Sequence, residues 1–561
     1  MNPRANFGFR IAVVCCLCLA GSVAVAQSAR VFFSAPVNLS HNSPDSALSY
    51  STHIAVDARG NLNIIWAEMD CIQIFPFTCT WRLFYTRSED GGATFSTPKD
   101  IANQNPGDAL FGPQIAISPD GTINAAWEGD STGADIFFAR STDGGATFSL
   151  PINLSLDNGA ASDPSLGVDA HGNIDIVWQS QSFADQSFNS FFSRSSDGVN
   201  FSAPVSFCSP GNSCSAPQIA LDAGRKINLV FVSAPCVNCI GDVMFSRSAN
   251  AGSNFSTPLD LSNSSAPMAS NPQISLGPHG SANVVWSKGA SGSEQVFFAR
   301  SNNGVAFFAP IVLSNGAGNS HFPELGLGPA RYSVRTRFGS PYSEAVNAAW
   351  LDDATGDIFF SSSTDRGLAF SAPKPVSSSV GSFGTEPYMA VDSDGRVNLV
   401  WQDAATNNIL FTRSNDGGAT FATPRSISTS PSFSTAPQIV ADAIGNLNVT
   451  WFDETTAIED VFFSRGTSFN LLRKEVRELP ASAFKHGNQR FVILIHIENA
   501  RRALDHHNRT LAAGKLLDLV QHLNGCGSSP DSNDWIVDCT DQLRIRNSLN
   551  IVIAGLSQQS Y

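Results

Sequence analysis

Polar and apolar residues alternate along short runs through most of this chain, and the runs recur at a regular interval. In residues 61–66, Asn-Leu-Asn-Ile-Ile-Trp, the alternation puts polar and apolar side chains on opposite faces of a β-strand. Each interval holds four such runs, which in the second interval are residues 114–118, 123–127, 136–140 and 148–154. The pattern predicts an all-β fold of short antiparallel strands.

The interval is an internal repeat with eight copies, 51 to 63 residues apart. Each copy opens on F-S-x-P or a variant of it, passes a D-x-x-G-N turn, and closes an alternating run on an aromatic residue. The closing residues are Trp66, Trp127, Trp178, Phe231, Trp286, Trp350, Trp401 and Trp451. Four antiparallel strands per repeat are typical of a β-propeller blade, with a solenoid as the alternative.

The two ends of the repeat region favour the propeller. Residues 32–39 resemble a lone fourth strand, and the last copy stops after its third strand at residues 461–465. If the first piece completes the last copy, the ring closes without an exposed strand edge. We therefore predict an eight-bladed β-propeller of four-stranded antiparallel blades over residues 27–469.

The N-terminal residues 1–26 have the pattern of a secretory signal peptide. Arg4 and Arg10 precede an apolar stretch at residues 11–20, and the small residues of an A-V-A motif predict cleavage near Ala26. No later segment has 18 consecutive apolar residues, which predicts no membrane span. The mature chain is expected to be secreted or periplasmic.

Charge divides the remaining chain into two parts. Residues 27–469 carry 21 basic and 39 acidic residues, a net of −18, which argues against nucleic acid or an anionic membrane as the main partner. Residues 470–561 carry a net of +2 and place apolar residues at helical spacing, as at Leu494, Ile497 and Leu504. We predict a small α-helical C-terminal domain over residues 470–561.

The cysteines that follow the signal peptide occur as near neighbours in an even number. In an exported chain this pattern predicts disulfides, and the four neighbouring pairs are Cys71 with Cys79, Cys208 with Cys214, Cys236 with Cys239, and Cys526 with Cys539. A zinc site is the alternative for the four cysteines between residues 208 and 239, so the pairing among them stays open.

A second motif precedes most F-S-x-P openings. Its S-x-D-x-G-x-T-F form is complete around Asp90, Asp143 and Asp416, and degenerate copies occur at Asp197, Asn250, Asn303 and Asp365. It resembles the Asp-box (BNR) repeat of sialidase-like propellers. The resemblance implies structural turns in which Asp accepts hydrogen bonds from turn amides, on the face away from any ligand. The C-terminal part faintly resembles the helical accessory domains (FIMAH type) of secreted microbial hydrolases.

Two further patterns have a structural and a functional interpretation. The arginine of each R-S-x-D phrase either belongs to an anion-binding ring or, as we expect, pairs with the repeat acids Asp57, Asp169, Asp222, Asp392 and Asp442. The D-S-D-G sequence at Asp392 is the one hint of a calcium loop, but the distal acid of such a loop is missing. We expect no metal and no cofactor, with Ca²⁺ as the alternative.

Acidic residues gather in the loops that follow the closing aromatic residues, and Asp353 is among them. Asp163 and His321 come just before first strands, near the predicted axis. Paired carboxylates there can act as acid and base on a glycoside, hold a cation, or form a solvated rim. If catalysis occurs, we expect Glu68 and Glu128 to supply the acid and base. The candidate binding residues are Glu68, Asp70, Glu128, Asp130, Asp352, Glu386, Asp403 and Asp453.

The resemblance to sialidases implies an arginine triad, a Tyr–Glu nucleophile pair and an R-I-P phrase. The chain has no R-I-P phrase, tyrosine is scarce, and Arg82 is one of few non-repeat arginines on the predicted ligand face. The sequence therefore favours a non-catalytic module that binds a glycan or an extracellular protein. The alternative is an exo-sialidase-like glycoside hydrolase using the acids named above, and a role in surface assembly is the third interpretation. The oligomeric state stays open.

Overall fold

The structure is a computed structural model, and it leaves several of the predicted features outside its described residues. The signal peptide, Glu386 and the arginine-rich residues 330–343 lie outside them. The described residues are 30–40, 47–72, 78–102, 109–130, 134–155, 159–222, 224–236, 239–262, 268–277, 280–314, 318–329, 344–377, 384–385, 387–428, 433–454, 459–526 and 533–558.

The described residues form 33 strands, most of which fall into seven groups of four along the chain, followed by a last group of three. The first group begins after two short N-terminal strands. In chain order the strands are β1 (Phe32–Phe33), β2 (Val37–Asn38), β3 (Ala47–Val56), β4 (Leu62–Ile72), β5 (Thr78–Ser88), β6 (Lys99–Asp100), β7 (Ala109–Ile117), β8 (Ile123–Asp130), β9 (Asp135–Ser141), β10 (Ile152–Asn153), β11 (Gly159–Val168), β12 (Ile174–Ser182), β13 (Phe188–Ser195), β14 (Val205–Ser206), β15 (Ser213–Leu221), β16 (Ile227–Ala234), β17 (Asp242–Ser248), β18 (Leu259–Asp260), β19 (Ala269–Leu276), β20 (Ala282–Lys288), β21 (Gln295–Ser301), β22 (Ile311–Val312), β23 (Ser320–Pro329), β24 (Glu344–Asp352), β25 (Asp357–Ser363), β26 (Lys374–Pro375), β27 (Tyr388–Val391), β28 (Val397–Asp403), β29 (Asn408–Ser414), β30 (Arg425–Ser426), β31 (Phe433–Ala441), β32 (Leu447–Glu454) and β33 (Glu459–Thr467).

These strands form a β-propeller, as the repeat predicts. Six consecutive four-stranded antiparallel sheets run from β7 to β30, and one nine-stranded sheet joins β3–β6 to β31–β33, β1 and β2. The two halves of the large sheet are linked by the single parallel pair of Leu48 with Glu459. We call β3–β6 unit 1, the six separate sheets units 2 to 7, and β31–β33 with β1 and β2 unit 8. Because one sheet joins units 1 and 8, the count of eight blades stays a prediction.

The N-terminal strands lie where the sequence predicts, at the outer edge of unit 8. They pair antiparallel with β33, in a register that places Phe32 opposite Thr467 and Val37 opposite Phe463. Asn38 donates to the Asp460 carboxylate at 2.9 Å, and Ser40 does so at 2.6 Å. In unit 2 an asparagine and a serine of the outer segment bond an aspartate in the same way, so residues 32–40 complete unit 8.

The first strands of the units surround a central axis. Each contacts the first strand of the next unit, and the cycle closes from unit 8 back to unit 1. The closing tryptophans lie between units: Trp127 is fully buried, packs against Ile65 and Tyr85 of unit 1, and stacks on Phe137 with ring centroids 6.1 Å apart. Burial of such a side chain stabilises the fold by roughly 2–3 kcal/mol.

The turns with the Asp-box pattern are held by their aspartates. Asp90 accepts hydrogen bonds from the backbone N–H groups of Ala93 and Thr94 and from the hydroxyls of Ser88 and Thr94, at 2.7–3.0 Å. Asp143, Asp197, Asp365 and Asp416 make the corresponding contacts. Each of these aspartates therefore bonds groups within its own turn.

The repeat arginines are paired with the repeat acids, as expected. The contacts join Arg87 to Asp57, Arg194 to Asp169, Arg247 to Asp222, Arg413 to Asp392 and Arg465 to Asp442, with N–O distances from 2.7 to 3.4 Å. The Asp392 carboxylate is thus occupied by arginine. Among the described residues no group of three or more metal-ligating side chains occurs.

The C-terminal residues form four helices that pack on one another. The helices are α1 (Phe469–Glu478), α2 (Gln489–Asp505), α3 (Arg509–Val520) and α4 (Cys539–Ser557). Ser468, Asn508 and Asp538 cap α1, α3 and α4 by accepting a backbone N–H bond. Among the described residues no helix has the length and apolarity to cross a membrane.

Three of the four predicted disulfides are present: Cys208–Cys214, Cys236–Cys239 and Cys526–Cys539. The zinc alternative for the middle four cysteines is therefore wrong, because their sulfurs are used in disulfides. Cys79 is also disulfide-bonded, and β-sheet pairing places it opposite Cys71, whose side chain lies outside the described atoms.

Candidate functional site

The first strands of units 1 to 6 and of unit 8 each carry a β-bulge at the same place, close to the axis. The ladder register shifts by one residue there, and the bulged residue has a positive φ of 46–52°. In all but the first unit the next residue is proline. The bulged residues are Ser51, Gly112, Asp163, Ala216, Asn271, Phe322 and Ala436. We call this side of the propeller, where first strands begin, the loop face, and the opposite side the turn face.

The first strands of units 6 to 8 enclose a cavity of about 450 Å³ on the loop face. We call it the channel-mouth cavity. Its walls combine aromatic rings with hydrogen-bonding side chains, and the second strands supply the rest. The lining residues are His321, Phe322, Leu351, Asp353, Gly384, Thr385, Tyr388, Gln402, Thr435, Ala436 and Pro437.

A smaller cavity of about 260 Å³ continues from it towards the axis and shares Phe322 and Tyr388. This axial cavity is lined by the amides of Gln218 and Gln273 and by Glu324. Gln273 donates from Nε2 to Oε1 of Glu324 at 2.9 Å, which joins unit 5 to unit 6. The two cavities form one concave surface with two aromatic rings at their junction.

His321 and Asp353 form the charged part of the channel-mouth cavity. His321 Nε2 lies 2.8 Å from Oδ1 of Asp353, and Asn319 donates to the other carboxylate oxygen at 2.8 Å. Partial burial would raise the pKa of Asp353, but the hydrogen bonds from Asn319 and His321 outweigh it and hold that pKa below its usual range. The His321 ring also packs on Phe322, with centroids 4.4 Å apart.

Three predicted binding acids are structural in their surroundings. Asp352 accepts from the Ser320 hydroxyl at 3.0 Å, and Asp453 accepts from the Ser434 hydroxyl at 3.0 Å. Asp403 accepts from both the backbone N–H and the hydroxyl of Thr406. All three acids are buried, so they hold strand ends together at the edge of the cavity.

Glu68 occupies the same register position as these three acids but has different partners. It accepts from Trp66 Nε1 at 3.4 Å and pairs across the ladder with Arg82, and its side chain is 7% exposed. Burial raises the pKa of Glu68 to about 7, although the Trp66 hydrogen bond and the Arg82 charge act in the opposite direction. Glu68 can therefore hold a proton near neutral pH.

The ladders place Glu68 and Glu128 on different sides of their blades. Glu68 shares a strand face with Trp66, which packs in the cluster shared with unit 8. Glu128 directly follows Trp127 and lies opposite Ile136, which packs in the cluster shared with unit 3. The structure therefore does not bring the two carboxylates into one cleft between blades.

The remaining candidates contribute less to this surface. Asp70 is half-buried in β4, on the same strand face as Glu68. The side chain of Asp130 and the whole of Glu386 lie outside the described residues. Asp163 is the bulged residue of unit 3, where it accepts from Gln179 at 2.7 Å.

Several cavity residues were missed from the sequence, above all Phe322, Tyr388, Gln402 and Thr435. The sequence does carry one signal for two of them, because the cavity residues flank the proline in the first strands of units 6 and 7. Gln402 lies directly after a closing tryptophan, and its Oε1 accepts from the Thr435 hydroxyl of the next unit at 3.0 Å.

No family model matches the chain, and no curated protein matches it. Solved structures similar to it include a protein of unknown function from Dyadobacter fermentans, 13% identical with a TM-score of 0.41, covering 78% of this chain and 99% of that one. A leech intramolecular trans-sialidase is 13% identical with a TM-score of 0.37, covering 79% and 92%. That of Ruminococcus gnavus is 13% identical with a TM-score of 0.35, covering 64% and 94%. Values of this size assign no activity to this chain.

Proposed function

We propose that this protein is an exported binding module that takes a glycan into the channel-mouth cavity. The observation that supports this most is the lining of that cavity, where aromatic rings stand beside amide, hydroxyl and imidazole groups. A sugar ring presents C–H groups that pack on an aromatic face, and hydroxyls that both donate and accept hydrogen bonds. Concave sites with a few placed polar groups are the usual form of a small-ligand site.

The acids around the cavity support binding over catalysis. Glycoside hydrolysis needs two carboxylates about 5–10 Å apart, and one of them has a raised pKa. The pKa of Asp353 is lowered instead, and Asp352, Asp403 and Asp453 are each held by a hydroxyl or a turn.

An exported location is consistent with the disulfides. Structural disulfides persist in oxidising compartments, and the described residues include Cys208–Cys214 and Cys236–Cys239 in the propeller and Cys526–Cys539 in the helical region. We propose that the chain works outside the cytoplasm, secreted or periplasmic, where glycans are exposed.

A second candidate function is glycoside hydrolysis with Glu68 as the proton donor. The raised pKa of Glu68, near 7, is the observation that favours it, because perturbed acids concentrate at catalytic sites. Against it, Glu68 already accepts the Trp66 N–H, and Glu128 lies on the far side of its own blade.

The test screens the mature protein on a glycan array and measures affinity for the hits by calorimetry. Tyr388→Ala removes an aromatic wall of the cavity and should weaken binding at least tenfold, whereas Leu368→Ala, an exposed residue on the turn face, should not change it. Equal affinity of both variants and wild type would contradict the proposed site.

Turnover of fluorogenic glycosides separates the two candidates. We expect none from the wild-type protein. If the wild type turns a glycoside over, and Glu68→Gln loses this turnover but still binds, the binding-module proposal is wrong and the hydrolase proposal is supported.

A further inference from the structure

If the protein binds a glycan as proposed, the charge of the cavity walls indicates whether that glycan is neutral or anionic. Across both cavities the lining residues described include no lysine and no arginine. The carboxylates of Asp353 and Glu324 do line them. An anionic sugar would therefore meet two carboxylates and no permanent cation.

The one titratable base in the lining adds no net positive charge to it. His321 lies 2.8 Å from the Asp353 carboxylate, so a proton on its ring would be offset by the charge of Asp353. Glu324 accepts from the Gln273 amide at 2.9 Å and places a second carboxyl group in the axial cavity.

Two basic residues of the described strands lie towards the loop face but line neither cavity. They are Arg82 in unit 1 and Lys288 in unit 5, and Lys288 donates to the Ser262 carbonyl at 2.8 Å.

The repeat region as a whole has a charge of the same sign as the two carboxylates. The net charge of −18 over residues 27–469 adds a long-range potential of the same sign.

From these walls we infer that the channel-mouth and axial cavities take an uncharged sugar and reject sugars that carry a carboxylate or sulfate. The amides and hydroxyls that line them serve as partners for sugar hydroxyls, and Phe322 and Tyr388 receive the C–H face. The carboxylates of Asp353 and Glu324 repel an anionic sugar, and this repulsion makes the cavities discriminate against it.

The experiment compares neutral oligosaccharides with their sialylated and uronic acid counterparts, by glycan array and then by calorimetry at low and high salt. We expect a neutral ligand to bind at least tenfold more tightly than its anionic counterpart, with an affinity that hardly changes with salt. Replacing both cavity carboxylates, in Asp353→Asn with Glu324→Gln, should reduce this discrimination. The control Asp120→Asn, which removes a carboxylate from a turn-face hairpin, should leave it unchanged.

The outcomes separate the inference from the function on which it rests. Anionic glycans that bind as tightly as neutral ones would overturn the inference and leave the glycan-binding function in place. Binding of no glycan of any class would overturn both. Discrimination that survives the double variant would show that the carboxylates do not cause it and would overturn the inference as argued.

Discussion

Glu68 shows how burial acts on a single carboxyl group in this fold. Its side chain lies beside Trp66 between two units. The loss of hydration there destabilises the charged carboxylate by more than the attraction of the Arg82 charge stabilises it. The pKa rises from 4.5 to about 7, so the folded protein keeps a proton that the unfolded chain releases between these values.

This proton makes stability depend on pH in a definite direction. Between pH 4.5 and 7 the folded state binds more protons at Glu68 than the unfolded state does. The contribution of Glu68 to the free energy of unfolding is therefore complete at acid pH and is lost as the pH rises through 7. In the wild type the free energy of unfolding should fall by as much as about 3 kcal/mol as the pH rises across this window. In Glu68→Gln this fall should be absent. Urea unfolding at pH 5 and pH 8 measures it.

The matched control is Glu89→Gln, since the Glu89 side chain is 64% exposed. It should follow the pH dependence of the wild type. If Glu68→Gln also follows the wild type, the burial argument for Glu68 is wrong.

Single residues differ in how far sequence could predict them. The pairing of repeat arginines with repeat aspartates could be predicted, because the arginine recurs at one position in seven units and the aspartate at one position in five. The cavity residues could not, because Phe322, Tyr388 and Gln402 break the repeat at different positions, and only the bulges bring them together.

At the scale of elements, the Asp-box-like turn connects neighbouring blades. Its second glycine has a positive φ, and a Cβ there would collide with an aromatic ring from the preceding unit: Gly418 meets Phe360, and Gly92 meets Phe463. The turn therefore needs glycine both for its backbone conformation and for the close approach of the aromatic ring of the preceding blade.

Adjacent glycines in one turn separate these two requirements. Gly417 has a φ of +69° and open space around its missing Cβ, whereas Gly418 has a φ of +89° and the Phe360 ring against it. We expect Gly417→Ala to cost about 1 kcal/mol from backbone strain, and Gly418→Ala about 2–4 kcal/mol from strain and overpacking together. Thermal unfolding of both variants checks the order, and equal losses would show that the ring contact does not matter.

Strands and turns were predictable because each carries a local pattern: alternation for strands, and Asp with Gly for turns. The bulge near the axis was not predicted, since the bulged residue is variable, from Ser51 to Phe322. Its positive φ is imposed by the ring of first strands, which a local pattern does not contain.

At the scale of the whole molecule, the helical region sits across the seam where the propeller closes. Phe32 of the closing strand is buried in the helical core, and Lys474 donates to Ser393 of unit 7 at 2.9 Å. Arg544 donates to the Arg59 carbonyl of unit 1 at 2.6 Å, and Glu475 bonds Arg465 of unit 8 at 2.9 Å. The helices therefore bind both sides of the seam, on the turn face.

A shared core predicts shared unfolding. We expect calorimetry of the full chain to show one cooperative transition, because Phe32 belongs at once to the closing strand and to the helical core. Phe32→Ala should destabilise this single transition by about 3–5 kcal/mol, while Val199→Ala, at an exposed position, should not shift it. Two separate transitions in the wild type would show that the helical region is an independent domain.

The division of the chain at residue 470 rested on a change of composition, and the charge and helical spacing do change there. Sequence gave no sign that the helices share a core with the N-terminal strand, because that contact joins residues more than 400 positions apart.

The claim that the loop face binds a glycan is tested most directly by a crystal structure of the mature protein soaked with a neutral oligosaccharide from the array. The account predicts a sugar ring in the channel-mouth cavity, packed on Tyr388 or Phe322 and hydrogen-bonded to His321, Gln402 or Thr435. A sugar bound on the helical region or the turn face, with the cavity empty, would contradict it.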